Sequence, residues 1–302
     1  MRFVTFRNPQ GEIRAGLLVG NGVIDLHLAS NGEVPNSMLM FLQKQEQYTK
    51  VINRMKLLEK DANFTLDEVQ LQAPLPNPTS FRDYMAFEKH VDNSRKKIGA
   101  QVPEQWYTIP VFYFSNHHVM LGPNAEVKVP NKTNNLDFEL EIACVIGKQG
   151  INIKAEEADD YIFGFTILND FSARDLQGQE MSVGLGPAKG KDFATAIGPY
   201  IVTKDEIKQF KSGKSYDLEM KASVNGKRYT SGNWNEIYYS FGEMIERASD
   251  SVTLYPGDII GSGTVGWGCI AELPEDEQRW LQPDDVVELE VQQLGKLKNL
   301  IV

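Results

Sequence analysis

Three acidic side chains alternate along one short stretch of the sequence, and two of them could bind a metal ion together. Residues 136–142 read LDFELEI, so Asp137, Glu139 and Glu141 share one face of a predicted strand and the aliphatic residues take the other. Residues two positions apart in a strand are separated by about 6 to 7 Å, so Glu139 and Glu141 can bind one cation, which would remove the repulsion between them. The same alternation is typical of a half-exposed strand with a solvated acidic face, and the pattern alone leaves both interpretations open.

A further candidate ligand, Asp170, ends the apolar run 161–169, where a strand delivers a polar side chain to the rim of a site. Asp is also a favoured helix cap, a role that Ser172 or Asp175 could share, so local sequence leaves its function open. A set of carboxylate oxygens suits Mg²⁺, Mn²⁺ or Ca²⁺ better than zinc, which prefers nitrogen and sulfur. The sequence therefore predicts a divalent cation, with Mg²⁺ as the first choice.

A lysine and a histidine could act on a substrate held by such a cation. Lys191 lies in the glycine-rich segment 184–192, which lacks the glycine spacing of a phosphate-binding loop and has Asp after the lysine. This turn could present an ammonium group to an enolate or a carboxylate, with a surface lysine as the alternative. His90 lies in a charged segment that could form a short helix, where exposure is the alternative. A histidine is nevertheless the natural general base near neutral pH.

The elements that must position these side chains are mainly strands. Residues 1–28 predict short antiparallel strands with a hairpin turn at Asn21-Gly22, and residues 36–60 carry apolar residues at helical spacing. Three prolines within 72–80 mark a domain boundary. Beyond it strand patterns dominate, with one clear helix over 236–249 and a second after Asp170. The predicted class is α+β, mainly β, with a small N-terminal β/α module at 1–72 and a catalytic domain at 73–302.

The composition is that of a globular protein and argues against several classes. The chain has 302 residues, of which 41% are hydrophobic, and a net charge of -10, so it can bury a full core and would repel nucleic acid. No apolar stretch is long enough for a membrane span and no secretory signal opens the sequence, which predicts no membrane partner and a cytoplasmic location. Cys144 and Cys269 lie in apolar runs, where buried reduced thiols are expected and a disulfide is the alternative.

Taken together, these stretches resemble the fumarylacetoacetate hydrolase superfamily, and within it the fumarylacetoacetases more than the shorter acylpyruvases. The resemblance runs over about 80–273. Its motifs are D-F/Y-x-x-F-E-x-H at 83–90, the metal-binding E-x-E at 139–141, N-D-W/F-S-A-R-D-x-Q at 169–177, G-P-x-x-G-K-x-F-x-T at 186–195 and the S-G-T turn at 262–264. Five ordered motifs are far more specific than any one of them. They imply a mixed β-roll or barrel catalytic domain of the type found in this superfamily.

The resemblance also implies a role for each matched residue. The implied metal ligands are Asp83, Glu139, Glu141 and Asp170. The implied substrate-binding residues are Arg174, Gln177 and Lys191 in the pocket, with Tyr113 and the Gly263-Thr264 backbone holding a carboxylate. Glu272 matches the glutamate that orients the catalytic histidine in fumarylacetoacetases, and a rim glutamate after a strand is its alternative. A homodimer formed through the large domain is implied in the same way.

One departure from the family pattern bears on the reaction. Acylpyruvase-type members carry H-x-x-E, whereas this sequence has His90 followed by Val91, Asp92 and Asn93, so that pair cannot form and Glu272 is favoured as the partner of His90. The sequence is therefore predicted to encode a hydrolase that cleaves a carbon–carbon bond of a small 1,3-dicarbonyl acid. In this hypothesis His90 activates water, and the cation and Lys191 stabilise the leaving enolate.

Two alternatives use the same residues differently. The first is an enolate-forming enzyme for 2-oxo acids, such as a decarboxylase, a hydratase or an isomerase, because the same cation and lysine stabilise that intermediate without an attacking water. The second is a non-catalytic ligand-binding protein on the same scaffold. A decarboxylase would need the His90–Glu272 pair less than a hydrolase would.

Overall fold

The computed structural model describes residues 1–302, and most of its regular structure is β-sheet with seven α-helices. The strands before the predicted boundary are β1 Arg2–Arg7, β2 Ile13–Val19, β3 Gly22–Asp25, β4 Phe64–Thr65 and β5 Gln70–Leu71. Those after it are β6 Ser80–Tyr84, β7 Phe112–Phe114, β8 Met120–Leu121, β9 Glu126–Val127, β10 Leu136–Asp137, β11 Leu140–Ile146, β12 Ile162–Asp170, β13 Ser172–Ala173, β14 Thr195–Thr203, β15 Lys211–Ser212, β16 Ser215–Tyr216, β17 Glu219–Val224, β18 Lys227–Asn233, β19 Asp258–Gly261, β20 Val286–Val291 and β21 Gly295–Ile301. The helices are α1 Leu26–Ala29, α2 Met38–Gln43, α3 Gln45–Met55, α4 Glu88–Lys97, α5 Arg174–Val183, α6 Lys204–Ile207 and α7 Phe241–Ser249.

Two sheets form the body of the molecule. The larger has twelve strands in the order β4-β3-β2-β1-β14-β12-β11-β19-β6-β7, with β5 paired to β1 and β8 paired to β14. The smaller has five strands in the order β18-β17-β20-β21-β9. The end strands of the larger sheet do not pair with each other, so the sheet does not close into a barrel. The predicted mainly β, α+β class is confirmed.

Strand β11 is buried on both faces because a hydrophobic core lies on each side of it. Leu140, Ile142 and Cys144 face the larger core, whereas Ala143 and Val145 face the smaller one. Strands with two covered faces have near-continuous apolar sequences, and the run from 142 to 146 fits this rule. The exceptions to this apolar pattern are Glu141 in β11 and Glu139 just before it, and both carboxylates are buried as well.

The N-terminal strands belong to the larger sheet. Strand β1 pairs antiparallel with β14, and the smaller core unites Phe3 and Phe41 from the N-terminal part with Phe163 and Ile201 from the rest of the chain. The proline-rich segment therefore separates two stretches of sequence that share one sheet and one core. Division into domains at 72/73 stays a prediction.

The structure refines three predicted elements. The helix predicted from residue 236 begins at Phe241, because Ser240 caps it and forms a reciprocal capping box with Glu243. The predicted hairpin between β2 and β3 forms, but its two turn residues are Gly20 and Asn21, because Gly22 already begins β3 and pairs with Val19. A second hairpin joins β17 to β18 through Asn225 and Gly226, which both adopt the left-handed conformation. The segment 83–90 is not one short helix: it ends β6, continues as a loop and begins α4 at Glu88.

Candidate active site and metal centre

Three carboxylates meet where β6 and β11 lie near each other in the larger sheet. One oxygen from each of Asp83, Glu139 and Glu141 lies within 4.8 Å of the others. Asp83 is 1% exposed, Glu139 5% and Glu141 0%. A solvated acidic face, the alternative left open by the sequence, is therefore wrong for these residues. The strand pattern does bring Glu139 and Glu141 together, and β6 supplies the third carboxylate.

The strand order explains how Asp83 reaches this cluster. Strand β19 lies between β11 and β6, and Gly261 on β19 is the register partner of Asp83. A Cβ atom on Gly261 would lie 2.3 Å from Asp83 Oδ1, so only glycine leaves room for the carboxylate. Just beyond the strand, the Gly263 N–H donates to the same oxygen at 3.2 Å. The S-G-T turn thus fixes Asp83 from the adjacent strand.

The electrostatics of the carboxylate cluster fit a bound cation. Burial, followed by the charge of Asp170, raises the pKa of Asp83 to about 8. Burial and the neighbouring carboxylates also raise the pKa of Glu141 well above its ordinary value. Oε2 of Glu141 is buried without a hydrogen-bond partner, a costly state for a carboxylate oxygen. A divalent cation bound by these oxygens would offset both the repulsion and the missing partner, and its all-oxygen ligands would suit Mg²⁺, Mn²⁺ or Ca²⁺.

Asp170 lies beside the cluster and is held by a lysine and a tyrosine. Lys191 Nζ lies 3.0 Å from Asp170 Oδ2 and 2.5 Å from Glu139 Oε2. The Tyr113 hydroxyl donates to Asp170 and, at 3.1 Å, to Asp83. Asp170 is therefore next to the three-carboxylate group but is not one of its members here. Tyr113, which was predicted to hold a substrate carboxylate, here contacts two carboxylates of the protein itself.

Lys191 is buried, at 3% exposure, rather than a surface lysine. Burial alone would lower its pKa, but the negative charges of Asp170 and Glu139 outweigh that effect and raise the pKa above the ordinary lysine value. The side chain is therefore a permanent ammonium at neutral pH. It can stabilise negative charge on a bound molecule but cannot act as a neutral base.

His90 and Glu272 form a hydrogen-bonded pair across the cavity from the carboxylates. His90 Nδ1 lies 2.6 Å from Glu272 Oε1, and Glu272 is 2% exposed. Asn93 Nδ2 donates to Oε2 at 2.6 Å, as does the backbone N–H of Trp267 at 2.8 Å. The Cys269 thiol donates to Oε1 at 3.5 Å. The other ring nitrogen of His90, Nε2, takes no part in this pair.

Arg174 and Gln177, both on α5, are joined to the cluster by hydrogen bonds. Arg174 Nε donates to Asp137 and one of its terminal nitrogens donates to Glu139, each at 2.8 Å, while the other donates to Gln177 at 3.0 Å. Asp137 also accepts the backbone N–H groups of Ile270 at 2.7 Å and Ala271 at 3.0 Å, in the short helical turn that carries Glu272. Asp137 and Arg174 therefore connect the carboxylate cluster to the support of His90.

One cavity of about 450 Å³ connects these groups. Its walls include the carboxylate cluster and His90, together with an apolar part formed by α4, β7 and α5. The site residues that line it are Asp83, His90, Tyr113, Glu139, Glu141, Arg174, Gln177, Lys191, Gly263, Thr264 and Cys269. Thr264 Oγ1 donates to Glu141 at 3.4 Å. Asp170 and Glu272 lie behind this surface and act on it through Lys191 and His90.

Three residues of the site were not among the predicted ones. Asn93 replaces the family's glutamate three residues after the histidine, and i, i+3 spacing on a helix places it on the same face as His90. Asp137 stood in the acidic alternation, but nothing local indicated that it would bind Arg174. Cys269 has only a buried apolar context in the sequence, and its proximity to His90 is purely tertiary. Both cysteines are free and buried, as predicted.

An open, mainly β fold around a buried carboxylate cluster and a histidine–glutamate pair is the arrangement of an enzyme that acts on small substrates. Residues 79–302 match the family described as fumarylacetoacetate (FAA) hydrolase, C-terminal, and the chain belongs to this family. The predicted family is thus confirmed. The human protein named oxaloacetate tautomerase FAHD2A, mitochondrial, is 33% identical over 309 residues, covering 100% of this chain and 92% of that protein.

Two solved structures share the fold over the whole chain. A fumarylacetoacetate hydrolase from psychrophilic Exiguobacterium antarcticum is 23% identical with a TM-score of 0.79, covering 100% of this chain and 99% of that one. Maleylpyruvate hydrolase from Sphingobium sp. SYK-6, in complex with manganese(II) and pyruvate, is 21% identical with a TM-score of 0.74 and the same coverage. A sequence relative of this chain is thus named as a tautomerase, whereas two proteins that share its fold are named as hydrolases. None of the helices is both long and apolar enough to span a membrane.

Proposed function

We propose that this protein is a divalent-cation-dependent enzyme that interconverts the keto and enol forms of a short 2-oxo acid of the oxaloacetate type. The observation that carries the proposal is that one cavity brings together the carboxylate cluster, the Lys191 ammonium and the His90–Glu272 pair. The choice of tautomerisation is supported by the relatives named oxaloacetate tautomerase, which are aligned over the whole chain. This is the enolate-forming alternative raised by the sequence.

The cation would be held by Asp83, Glu139 and Glu141, with Asp170 as the fourth ligand that the family resemblance implies. When bound, it would polarise the oxo and carboxylate oxygens of the substrate as a Lewis acid. Tyr113 and Thr264 donate hydrogen bonds that orient the ligand carboxylates. The cation is expected to be Mg²⁺ or Mn²⁺, because every proposed ligand atom is an oxygen.

His90 is the proposed acid–base residue. Its Nδ1 is taken by the Glu272 carboxylate at 2.6 Å, which selects the tautomer with the proton on Nδ1 and leaves Nε2 as the basic nitrogen. In the keto-to-enol direction Nε2 takes a proton from C3 of the substrate, and the enolate oxygen then takes a proton from solvent. The resulting imidazolium is stabilised by Glu272. In the reverse direction the enol oxygen releases its proton to solvent, and the same nitrogen returns the proton to C3.

Lys191 stabilises the enolate that forms when C3 is deprotonated. Its raised pKa keeps it charged, so it contributes a fixed positive charge rather than a proton. Preorganised charges of this kind lower barriers by about 3 to 4 kcal/mol in measured cases. Arg174 holds Glu139 and lines the same cavity, so the positions of the charges are set before substrate binds.

Hydrolysis of a carbon–carbon bond is the second candidate, and the His90–Glu272 pair favours it. A histidine oriented by a buried carboxylate can also take a proton from water. In that reaction the hydroxide attacks a carbonyl of an acylpyruvate or acylacetoacetate, and Lys191 stabilises the leaving enolate.

The homodimer and the cytoplasmic location remain proposals. The human relative carries the word mitochondrial in its name.

The test follows ketonisation of enol-oxaloacetate by its ultraviolet absorbance, with Mg²⁺ or Mn²⁺ and with chelator. We expect cation-dependent acceleration over buffer that falls at least about a hundredfold in His90→Ala, the lower end for general acid–base catalysis. The matched control is His118→Ala, because His118 is exposed and does not line the cavity. Parallel assays measure cleavage of acylpyruvates and fumarylacetoacetate. Rapid cleavage of one of these without ketonisation would replace the tautomerase proposal with the hydrolase.

A further inference from the structure

A second cluster of metal-binding side chains lies in the cavity, and it shares no residue with the carboxylate cluster. A nitrogen of His90, the Cys269 sulfur and an oxygen of Glu272 all lie within 4.8 Å of one another. The His90 Nδ1 to Glu272 Oε1 distance is 2.6 Å, and the Cys269 Sγ to Oε1 distance is 3.5 Å. Three ligand types, nitrogen, sulfur and oxygen, thus converge on one point from α4 and from the turn that follows β19.

This point can be reached from the cavity. His90 and Cys269 both line the cavity wall, so a hydrated ion that enters with solvent meets them directly. Cys269 is otherwise 2% exposed and forms no disulfide. The proposed acid–base step uses Nε2 of His90 and the carboxylate of Glu272, and it leaves the thiol without a chemical role.

We propose that His90, Cys269 and Glu272 form a binding site for a zinc-type cation, and that an ion bound there inhibits the enzyme. Zinc prefers imidazole nitrogen and thiolate sulfur and binds three protein ligands with a fourth position left for solvent. The hard cations Mg²⁺ and Ca²⁺ prefer oxygen and would stay in the carboxylate cluster. One cavity therefore contains a site with oxygen ligands only and a site with nitrogen and sulfur ligands, and each site selects its own class of ion.

Binding at this second site changes the state of all three ligands. As the metal–sulfur bond forms, the thiol S–H bond breaks and its proton passes to the buffer. His90 Nδ1 and Glu272 become ligands and lose their hydrogen bond to each other. The Nδ1 proton moves through solvent to Nε2, so Nε2 can no longer take a proton from substrate. The inhibitory effect rests on the proposed function, because it assumes that His90 transfers protons. The binding itself does not depend on any reaction.

The direct test uses cobalt(II) as a spectroscopic probe, with the carboxylate cluster saturated by Mg²⁺. We expect about one cobalt ion per chain to bind with thiolate-to-cobalt charge-transfer absorption in the near ultraviolet. Cys269→Ser should abolish this band, and His90→Ala and Glu272→Gln should each weaken cobalt binding at least about tenfold. The matched control, Cys144→Ser, alters the other buried thiol, which lies in β11, and should keep the band. Absence of the band in the unaltered protein would overturn the proposal.

An activity measurement tests the inhibition separately. Zinc is titrated into the ketonisation assay at saturating Mg²⁺, and each variant is compared with its own rate without zinc. We expect Cys269→Ser to need at least about tenfold more zinc for half-inhibition. Equal sensitivity in both proteins would mean that zinc acts by replacing Mg²⁺ at the carboxylates, and inhibition at Cys269 would be wrong. If the protein had no ketonisation activity at all, the cobalt band would still decide whether the site exists.

Discussion

Glu272 is surrounded by donors. His90 and Cys269 contact Oε1, while Asn93 and the Trp267 N–H donate to Oε2. A carboxylate with this many donors has one orientation, and it passes that orientation to the imidazole. The residue therefore works as a positioning group whose negative charge also stabilises a protonated His90.

Glu272→Gln removes that charge while it keeps the shape of the side chain. We expect kcat to fall by about a hundredfold or more with little change in KM, because the acid–base step is affected and ligand binding is not. Steady-state kinetics of ketonisation measure both constants. Glu277→Gln is the matched control, since Glu277 is exposed a few residues further along the chain. A rise in KM with unchanged kcat would contradict the proposed role.

At the scale of elements, the site depends on contacts between segments that are distant in sequence. Asp137 ends β10 and accepts N–H groups from the turn at Ile270–Glu272, while it binds Arg174 from the start of α5. Arg174 in turn holds Glu139. One buried ion pair therefore sets the relative positions of the carboxylate cluster and the turn that supports His90.

Asp137→Asn should weaken cation binding by the carboxylate cluster and also the support of His90 by the Ile270–Glu272 turn. The amide can still accept hydrogen bonds, but Arg174 loses its charged partner and the Ile270–Glu272 turn loosens. We expect cation affinity and kcat each to fall by about 10 to 100-fold, the usual effect of altering a residue behind the ligands. Calorimetric cation titration and steady-state kinetics give the two values. Asp276→Asn, an exposed aspartate just beyond the same turn, is the control and should leave both unchanged.

Gly263 is the second element-scale constraint. Its φ is 74°, and a Cβ atom there would lie 2.2 Å from the Tyr84 carbonyl oxygen. Gly263→Ala should therefore destabilise the protein by about 1 to 3 kcal/mol or more and displace Asp83, as measured by denaturant unfolding and cation binding. Gly178→Ala is the control, because Gly178 lies exposed in α5 with nothing within 4 Å of the added atom. That substitution should be neutral or stabilising.

The sequence predicted the strands of the site better than their environment. Alternation placed Glu139 and Glu141 on one face, and the family motifs identified Asp83, His90 and Glu272, which the structure brings into one region. Periodicity could not show that both faces of β11 would be covered, because burial depends on strands paired much later in the chain. The same limit explains why Asp137, Asn93 and Cys269 went unrecognised. The start of α7 was missed for a local reason, since the Ser240–Glu243 capping box was readable in the sequence.

At the scale of the whole molecule, the carboxylate cluster links stability to pH and to cations. The pKa values of Asp83, Glu141 and Asp170 are all raised, chiefly by burial. Between an unfolded pKa of about 4 and the folded value of about 8 for Asp83, the folded state binds more protons than the unfolded chain. The free energy of unfolding therefore decreases as pH rises through this range. Glu139 has a lowered pKa and acts in the opposite sense, but only below this range.

We expect the cation-free protein to melt at a lower temperature at pH 8 than at pH 5.5, and Mg²⁺ or Mn²⁺ to restore more stability at the higher pH. Thermal unfolding in chelator and in excess cation measures both effects. Glu141→Gln should flatten the pH profile and reduce the cation response, whereas the exposed Glu157→Gln should do neither. A melting temperature in chelator that rises between pH 5.5 and pH 8 would show that repulsion among the buried carboxylates does not destabilise the cation-free protein.

The position of β19 between β11 and β6 has a consequence for how the molecule is made. On the ribosome, Asp83 and His90 emerge early, but the strand that joins β6 to the sheet begins at residue 258, and Glu272 follows His90 by 182 residues. A nascent chain that stops short of β19 has Glu139 and Glu141 but neither an anchored Asp83 nor a partner for His90. Because such long-range pairings form slowly, the enzyme gains its chemistry only after β19 and Glu272 have been made, and β11 keeps an unpaired edge until then.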